Sequence, residues 1–356
     1  MRYGLEGPAR VPALLIGSQA VPLQHETAEI CMAEPLHMVF VMDPIDQVNI
    51  DEDTTFALML EAQRRGHRVS FAAPGDVGMV DGRATARVRP VVLRRERGNH
   101  VDQGEETLIV LDEDADLVWQ RTDPPVDAAY VTATQLLGLC REALVVNRPS
   151  SILAFNEKLF AAHFADLMPP TLVSARPAEL LEFMDAMGGE MIVKPLDGRG
   201  GEGIFHTGRE DRNLNSILEQ STRFGSVRAM AQRFLPAVWE GDKRILLLDG
   251  EPLGALLRVP AAGDVRANLH VGGSGVRGVL DEADRRIVDR IGPTLRREGL
   301  FLVGIDVIGG LLTEINVTSP TCIQEIDAID DVCLEARVIE EAERAVVAHR
   351  ASEGGN

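Results

Sequence analysis

Short apolar runs alternate with amphipathic stretches along most of the chain, and the alternation begins abruptly at His37. His37-Met38-Val39-Phe40-Val41-Met42-Asp43 reads as a buried strand ending in an acid. Thr54 to Arg65 then carries Phe56, Leu58, Met59, Leu60 and Ala62 at helical spacing before Gly66 stops it. Val69-Ser70-Phe71-Ala72 is the next strand, and 74–106 is turn-rich and charged with a strand or two near 84–93. Leu117-Val118-Trp119-Gln120, a helix near 132–142 and Leu144-Val145-Val146-Asn147 complete this half. Strands alternating with helices predict an open, mainly parallel sheet. Ligands gather beyond strand C-termini in such sheets, which puts Asp43 and Arg121 to Pro124 on one rim.

Past Pro149 the pattern changes. Asn156-Glu157-Lys158 opens a helix running towards Phe164, and Pro169 to Val173 begins a strand. An amphipathic helix over Ala178 to Met187 precedes the strand Met191 to Pro195, a Gly-rich turn and Gly203-Ile204-Phe205. Met230 to Phe234 reads as a strand, and Arg244 to Leu248 pairs through Asp249-Gly250 with Pro252 to Val259 as a hairpin. Ala261 to Gly278 is polar and Gly-rich, the composition of a mobile surface loop. Asp281, with Asp284 three residues on, caps a helix reaching Glu298, and Asp331 to His349 forms the last helix. No internal repeat is visible.

Between those two helices lies an acidic hairpin: Gly304-Ile305-Asp306-Val307-Ile308, a Gly309-Gly310 turn, and Leu312-Thr313-Glu314-Ile315-Asn316. Strand side chains alternate faces, so Asp306, Glu314 and Asn316 can share one face while apolar neighbours fix the other. Such oxygen ligands suit Mg²⁺ held against phosphate better than Zn²⁺ or copper. The same residues equally describe an ordinary solvated hairpin.

The 356 residues carry a formal charge of -19 and are 45% hydrophobic, enough for a large core divided into two or three subdomains. The acidic balance argues against a nucleic-acid partner bound through phosphates, while a local pocket of Arg and Lys can still hold a small anion. Cys31, Cys140, Cys322 and Cys333 lack CxxC spacing and read as reduced cytosolic cysteines. No stretch reaches the length of a bilayer span, and none reads as a signal segment. Residues 1–36, with four prolines, read as a loosely ordered extension, as an overlong start with Met38 the true one, or as an added strand or oligomer arm.

Asp197-Gly198-Arg199-Gly200-Gly201-Glu202-Gly203 follows Lys194 between two strand-like runs. Closely spaced glycines let backbone N–H groups curl around phosphate, and Lys194 adds a point charge. The loop is neither a P-loop nor a dinucleotide fingerprint, and a plain tight turn reads as well. Lys158 at a helix start, Arg258 in an apolar run, and Arg266 and Asn268 in the Gly-rich tract are further candidates for an anionic substrate. Thr318-Ser319-Pro320-Thr321 offers donors for a carboxylate. No nucleophile elbow or HExxH is present, and Cys322 reads as an incidental or buried cysteine rather than a nucleophile. Cations, a glycine loop and a late acidic hairpin form the inventory of metal-assisted phosphoryl transfer.

Ordered blocks over about 38–348 resemble bacterial (prokaryotic-type) glutathione synthetase, of the ATP-grasp superfamily. They include Val41-Met42-Asp43-Pro44-Ile45, Asp123-Pro124-Pro125, Asn147-Arg148-Pro149, Asn156-Glu157-Lys158-Leu159-Phe160 and Lys194-Pro195-Leu196-Asp197-Gly198. Gly241-Asp242-Lys243-Arg244, Asp249-Gly250-Glu251-Pro252, Ile291-Gly292-Pro293-Thr294 and Thr313-Glu314-Ile315-Asn316-Val317-Thr318-Ser319-Pro320-Thr321 continue them. The resemblance implies an α/β chain with an ATP-grasp fold, a preceding open α/β domain and a central lid domain. The implied boundaries are 1–36 for the extension, 37–153 for the N-terminal substrate domain, 154–235 for the lid and 236–350 for the C-terminal metal-binding subdomain.

It also implies a cytoplasmic ligase, tetrameric as in the family. Such an enzyme joins γ-glutamylcysteine to glycine with ATP and two Mg²⁺ ions, Mn²⁺ being a substitute, and has no nucleic-acid or membrane partner. On matching positions, Lys158, Lys194 and Lys243 contact ATP, Gly198, Gly200, Gly201 and Gly203 close over its phosphates, and Gln232-Arg233-Phe234-Leu235 line the adenine pocket. Asp306, Glu314 and Asn316 hold metal, while Arg258, Arg266 and Lys194 act on the transferred phosphate. Asp43, Arg121, Asp123, Arg258, Arg266, Asn268, Ser319 and Pro320 meet the substrate. Three departures stand out: Arg121-Thr122 where the family shows Arg-Lys, a less Gly-rich 266–273, and the extension. Thr122 is expected to remove a cation from the substrate rim. Another ATP-grasp carboxylate–amine ligase, or a non-catalytic nucleotide-binding protein, are the competing readings.

Overall fold

The computed structural model describes residues 34–198, 200–269 and 272–353. The expected extension lies outside the described residues as far as residue 33, and so do Arg199, His270 and Val271 of the two loops. From Pro35 onward the chain forms one compact unit built on three sheets.

The first sheet begins with β1 (His37–Val41), buried at every position. Asp53 caps α1 (Thr54–Arg64) by accepting the Phe56 N–H, and the left-handed Gly66 follows the helix end. β2 (Arg68–Ala72), β3 (Val77–Val80), β4 (Arg83–Leu93), β5 (Val101–Gln103) and β6 (Thr107–Val110) follow, then α2 (Leu111–Asp114) and β7 (Leu117–Gln120). α3 (Ala128–Leu137) and β8 (Leu144–Val146) close it. The strand order is β3-β4-β2-β1-β7-β8, with β5 and β6 also paired to β4. Only β2, β1, β7 and β8 are mutually parallel, so the sheet is mixed where a mainly parallel one was expected. The long β4 turned a charged, turn-rich stretch into an antiparallel flap by lending its edges to three short strands. α3 starts at Ala128, not near 132, because Asp127 accepts the Tyr130 N–H at 2.9 Å.

After α4 (Pro149–Ala154), Asn156 caps α5 (Glu157–Phe160). The helix expected to reach Phe164 breaks into a 3₁₀ turn, with Phe164 itself non-helical. The second sheet is antiparallel, β11-β10-β12-β9, made of β9 (Thr171–Ser174), β10 (Glu190–Pro195), β11 (Phe205–Gly208) and β12 (Ala229–Arg233). α6 (Pro177–Ala186) and α7 (Leu214–Ser221), the latter not anticipated, pack Leu180, Met184, Leu214 and Leu218 onto its Met191 and Val193.

The third sheet, β15-β14-β13-β16-β17, comprises β13 (Asp242–Leu248), β14 (Glu251–Val259), β15 (Ser274–Arg277), β16 (Leu302–Ile308) and β17 (Leu311–Asn316). β15 lies in the tract expected to be loop: backbone pairing with β14 needs no apolar pattern. The Asp281–Asp284 capping box starts α8 (Glu282–Arg297) as expected. The helix expected over Asp331 to His349 is α10 (Leu334–Glu353), starting after a left-handed Asp331, and α9 (Ile323–Asp330), not anticipated, precedes it.

These two helices join the first and third sheets. Ile323, Ile326, Leu334, Val338 and Ile339 share one buried core with Met38 and Phe40 of β1 and with Leu246 and Leu256 of the third sheet. Each such side chain stabilises by roughly 1.5–3 kcal/mol, against about 0–1 kcal/mol for an exposed ion pair, so apolar burial dominates this join. Glu343 of α10 adds direction: it takes both arms of Arg65 at 2.7 Å and His67 Nε2 at 2.8 Å. Burial works to raise the Glu343 carboxyl, but its bonds to Arg65 and His67 outweigh it and hold the group below its ordinary range. A depressed carboxyl stabilises above its unfolded pKa and loses that stabilisation as pH falls through the folded one. Glu343→Gln is therefore expected to lower the thermal midpoint by a few degrees at pH 7. The gap to the parent should close below about pH 4, as read by melting across pH.

Candidate active site

A cavity of about 750 Å³ takes wall residues from the second and third sheets and from the segments that follow β1 and β7 of the first. Its floor is the third sheet. Register sets Arg244 of β13 opposite Asp306 of β16, and Asp306 opposite Glu314 of β17; Asp242 stands opposite Arg258 of β14. Directly opposed residues share a face, so one polar row crosses the sheet. Arg244 donates to both Asp306 oxygens at 2.6 and 3.0 Å, and Arg258 Nη2 lies 2.6 Å from Asp242 and 3.0 Å from Asp306. Burial would raise the Asp306 carboxyl, but the two guanidinium groups hold it well below the carboxylate range. Burial pushes the Asp242 carboxyl up, against the pull of Arg258. Arg258 Nε and Asp242 Oδ1 are buried with no partner among the described residues.

Asn316, two residues beyond Glu314, donates Nδ2 to Gly304 O at 3.2 Å and Asp306 Oδ2 at 3.4 Å. Among the described residues its carbonyl oxygen takes no hydrogen bond. Among the described residues no three His, Cys, Asp or Glu side chains cluster as a metal site. The hairpin instead offers two carboxylates and an amide oxygen, a hard donor set that fits Mg²⁺ and does not fit thiophilic metals.

The cations face this row. Lys158, carried at the start of α5, reaches Gly198 O at 2.6 Å and Glu314 Oε1 at 3.2 Å. Lys194, on β10, is buried and donates to Thr313 O at 3.3 Å. Burial lowers its ammonium pKa, opposed by Glu314. Gly198, Gly200 and Gly201 line the cavity, and a Cβ on Gly201 would stand 2.9 Å from Asn268 Oδ1, so the glycine loop touches the 264–268 segment. Gln232, Arg233, Phe234 and Leu235 line the other end beside Ile192 and Val238.

Asp43, Arg121, Asp123, Arg266, Asn268, Ser319 and Pro320 also line the cavity. Asp123 N donates to Asp43 at 2.9 Å. Arg121 is buried, bonded through Nε to Thr55 Oγ1 at 3.0 Å and through Nη2 to Pro320 O at 2.9 Å, so it braces the wall. Arg266 forks onto Asp264, with Nη2 2.7 Å from its Oδ2.

Three expectations are corrected. Lys243 does not reach the cavity: strand alternation turns it to the opposite face from Asp242 and Arg244, where it pairs with Asp281 and Asp284. Gly203 lies on a separate recess with Pro195, Phe205 and Arg223. Thr122 is buried against Val41 O and Gln120 away from the cavity lining, so it takes no cation from the rim. Sequence reading overlooked Arg244, Asp242 and Glu157. Asp242 and Arg244 stand two apart at the head of the apolar run 245–248, a period-two signal that a strand taken from Arg244 onward leaves out.

Asp306→Asn leaves Arg244 and Arg258 facing each other across a neutral amide. A loss of about 3–5 kcal/mol in unfolding free energy is expected, against under about 0.5 kcal/mol for the exposed Glu202→Gln. Urea denaturation of the two variants reads the difference.

Comparison with known proteins agrees along the chain. Residues 36–152 match the family "Prokaryotic glutathione synthetase, N-terminal domain" and 157–331 match "Prokaryotic glutathione synthetase, ATP-grasp domain". The glutathione synthetase of Gloeobacter violaceus is 47% identical over 312 residues, covering 86% of this chain and 96% of that protein. That of Vibrio parahaemolyticus is 45% identical over 309 residues, 86% and 97%. Among solved structures, D-cycloserine synthetase DcsG superposes with a TM-score of 0.61 at 15% identity, over 86% of this chain and 99% of that one. The ATP-grasp ligase PsnB does so at 0.55 and 15%, over 88% and 98%. These last likenesses concern the fold, which is α/β with an ATP-grasp domain after an N-terminal domain. On both matched segments, and on identity spanning most of its length, the chain belongs to the prokaryotic glutathione synthetase family.

Proposed function

We propose that this chain joins the cysteinyl carboxylate of γ-glutamylcysteine to the amine of glycine, forming glutathione, ADP and phosphate. The observation that carries the reading is a single cavity in which Lys158 and Lys194 face the Asp306–Glu314–Asn316 hairpin, in a chain of this family. A carboxylate oxygen attacks the γ-phosphorus of ATP and ADP departs, giving an acyl phosphate. The glycine nitrogen attacks the acyl carbon, the tetrahedral adduct expels phosphate, and the ammonium proton is lost. Phosphorylation supplies the leaving group, so no side-chain nucleophile is needed.

In this reading Lys158 and Lys194 bind the nucleotide phosphates, and Gly198, Gly200 and Gly201 cover them. Gln232 to Leu235 take the base. Arg258 and Arg266, with Arg244 beside them, offset charge on the transferred phosphoryl group. Asp43, Asp123, Asn268, Ser319 and Pro320 orient the peptide, with Arg121 bracing Pro320. Asp306, Glu314 and Asn316 would hold two Mg²⁺ ions, or Mn²⁺, which supply charge neutralisation at the phosphates when bound. Closure of the glycine loop onto 264–268 keeps water from the acyl phosphate. Residues 37–153, 154–235 and 236–350 act as substrate domain, lid and metal-binding subdomain of a cytoplasmic homotetramer.

Phosphate release from ATP and Mg²⁺ is expected only when γ-glutamylcysteine and glycine are both present, with glutathione formed in equal amount. Turnover with another amine but not glycine would overturn the substrate assignment. Glu314→Gln is expected to cut kcat at least about 100-fold while Glu202→Gln leaves it within about twofold. Equal, small effects would remove the metal role from the hairpin.

A further inference from the structure

The segment Val317 to Thr321 carries the chain from β17 along the cavity towards α9, and side chains from three other elements hold it. Asn147, after β8, donates Nδ2 to Val317 O at 2.8 Å and to Leu302 O at 2.9 Å. Arg121, after β7, donates to Pro320 O at 2.9 Å. Glu157, the first residue of α5, makes the densest contact. Its Oε1 accepts the Val317 N–H at 2.9 Å, the Thr318 N–H at 3.0 Å and the Thr318 hydroxyl at 2.8 Å. Between these anchors Ser319 lines the cavity, and among the described residues its amide and hydroxyl take no hydrogen bond.

A buried carboxylate beside another acid is costly. Burial raises the Glu157 carboxyl, Glu314 raises it further, and the bonds from Thr318 oppose both. An unpaired buried charge costs several kcal/mol, so those three donors are what allow the group to sit there. They also fix two consecutive residues immediately before Ser319. Glu157 adjoins Lys158, whose ammonium reaches Gly198 and Glu314, so one helix start orders both the peptide side and the phosphate side of the cavity.

We propose that Glu157 is the positioning residue of the peptide-carboxylate subsite. It clamps Val317 and Thr318 so that the unpaired Ser319 N–H and hydroxyl meet a substrate carboxylate without prior rearrangement. The inference rests on the peptide-ligase reading above. Pre-set donors strengthen binding of the group they face, and a residue that only stabilised the fold would not distinguish one substrate from another.

Steady-state glutathione formation tests it, with γ-glutamylcysteine and ATP varied in turn. Glu157→Ala is expected to raise KM for the dipeptide at least about tenfold and KM for ATP less than about twofold. Glu157→Gln, which keeps an acceptor oxygen in place, recovers most of that loss. Should Glu157→Ala fail to fold, Thr318→Val removes one clamp bond and is expected to raise the dipeptide KM alone, by about threefold. Dipeptide and ATP KM rising together, or an unmoved dipeptide KM in the folded variants, overturns the positioning role. A parent enzyme that forms no glutathione overturns the ligase reading on which it rests.

Discussion

Charge has to alternate where it is buried, and the floor of the cavity obeys that constraint. Arg258, Asp242, Arg244, Asp306 and Glu314 lie on one face across four strands, with each arginine in contact with an acid. Removing one partner from such a row leaves a buried charge without its counter-ion, worth more than any surface pair. The sheet register is consequently not free to slip. A one-residue shift would carry the whole row to the face where Lys243 meets α8. The residues that give the site its polarity therefore also fix the strands that hold it.

From that floor the rest of the site follows by adjacency. β17 presents Glu314 and Asn316 and then runs directly into Thr318 to Thr321, so the phosphate-facing and peptide-facing regions are consecutive in sequence. Lys158 and Lys194 arrive from outside the third sheet, and both ammonium groups end on hairpin atoms or beside them. A site shared between two sheets and the segments after the strands of a third depends on how the sheets are joined. The apolar core under α9 and α10 supplies the join between the first and third, and the Glu343 fork orients it.

Much of this was legible in the linear chain. The strands His37–Val41, Glu251–Val259, Leu302–Ile308 and Leu311–Asn316 and the run Arg244 to Leu248 declare themselves through apolar runs, and Asp281 marks a helix start through local capping chemistry. Alternation alone put Asp306, Glu314 and Asn316 on one face, since that requires only a hairpin and a period of two. Some short strands were missed: β5 and β15 lack an apolar signature and exist because β4 and β14 offer their edges, and the brief apolar run of β6 follows a charged, turn-rich stretch and likewise pairs with β4.

What the chain could not declare in one dimension is who pairs with whom across long separations. In sequence Arg244 only opens a strand, yet it lies opposite Asp306 because β13 pairs with β16. Lys243 looked equally available, and the same pairing sends it to the other face. Arg121 reads from its place beyond a strand end as a cation on a rim, but the approach of Pro320 turns it into a brace, and the Val317 to Pro320 segment also gives Glu157 its three donors. Local periodicity and capping are properties of neighbouring residues, so sequence carries them. Burial, counter-ion choice and which side of a strand meets a cavity depend on contacts between distant segments, and only the folded chain brings those together.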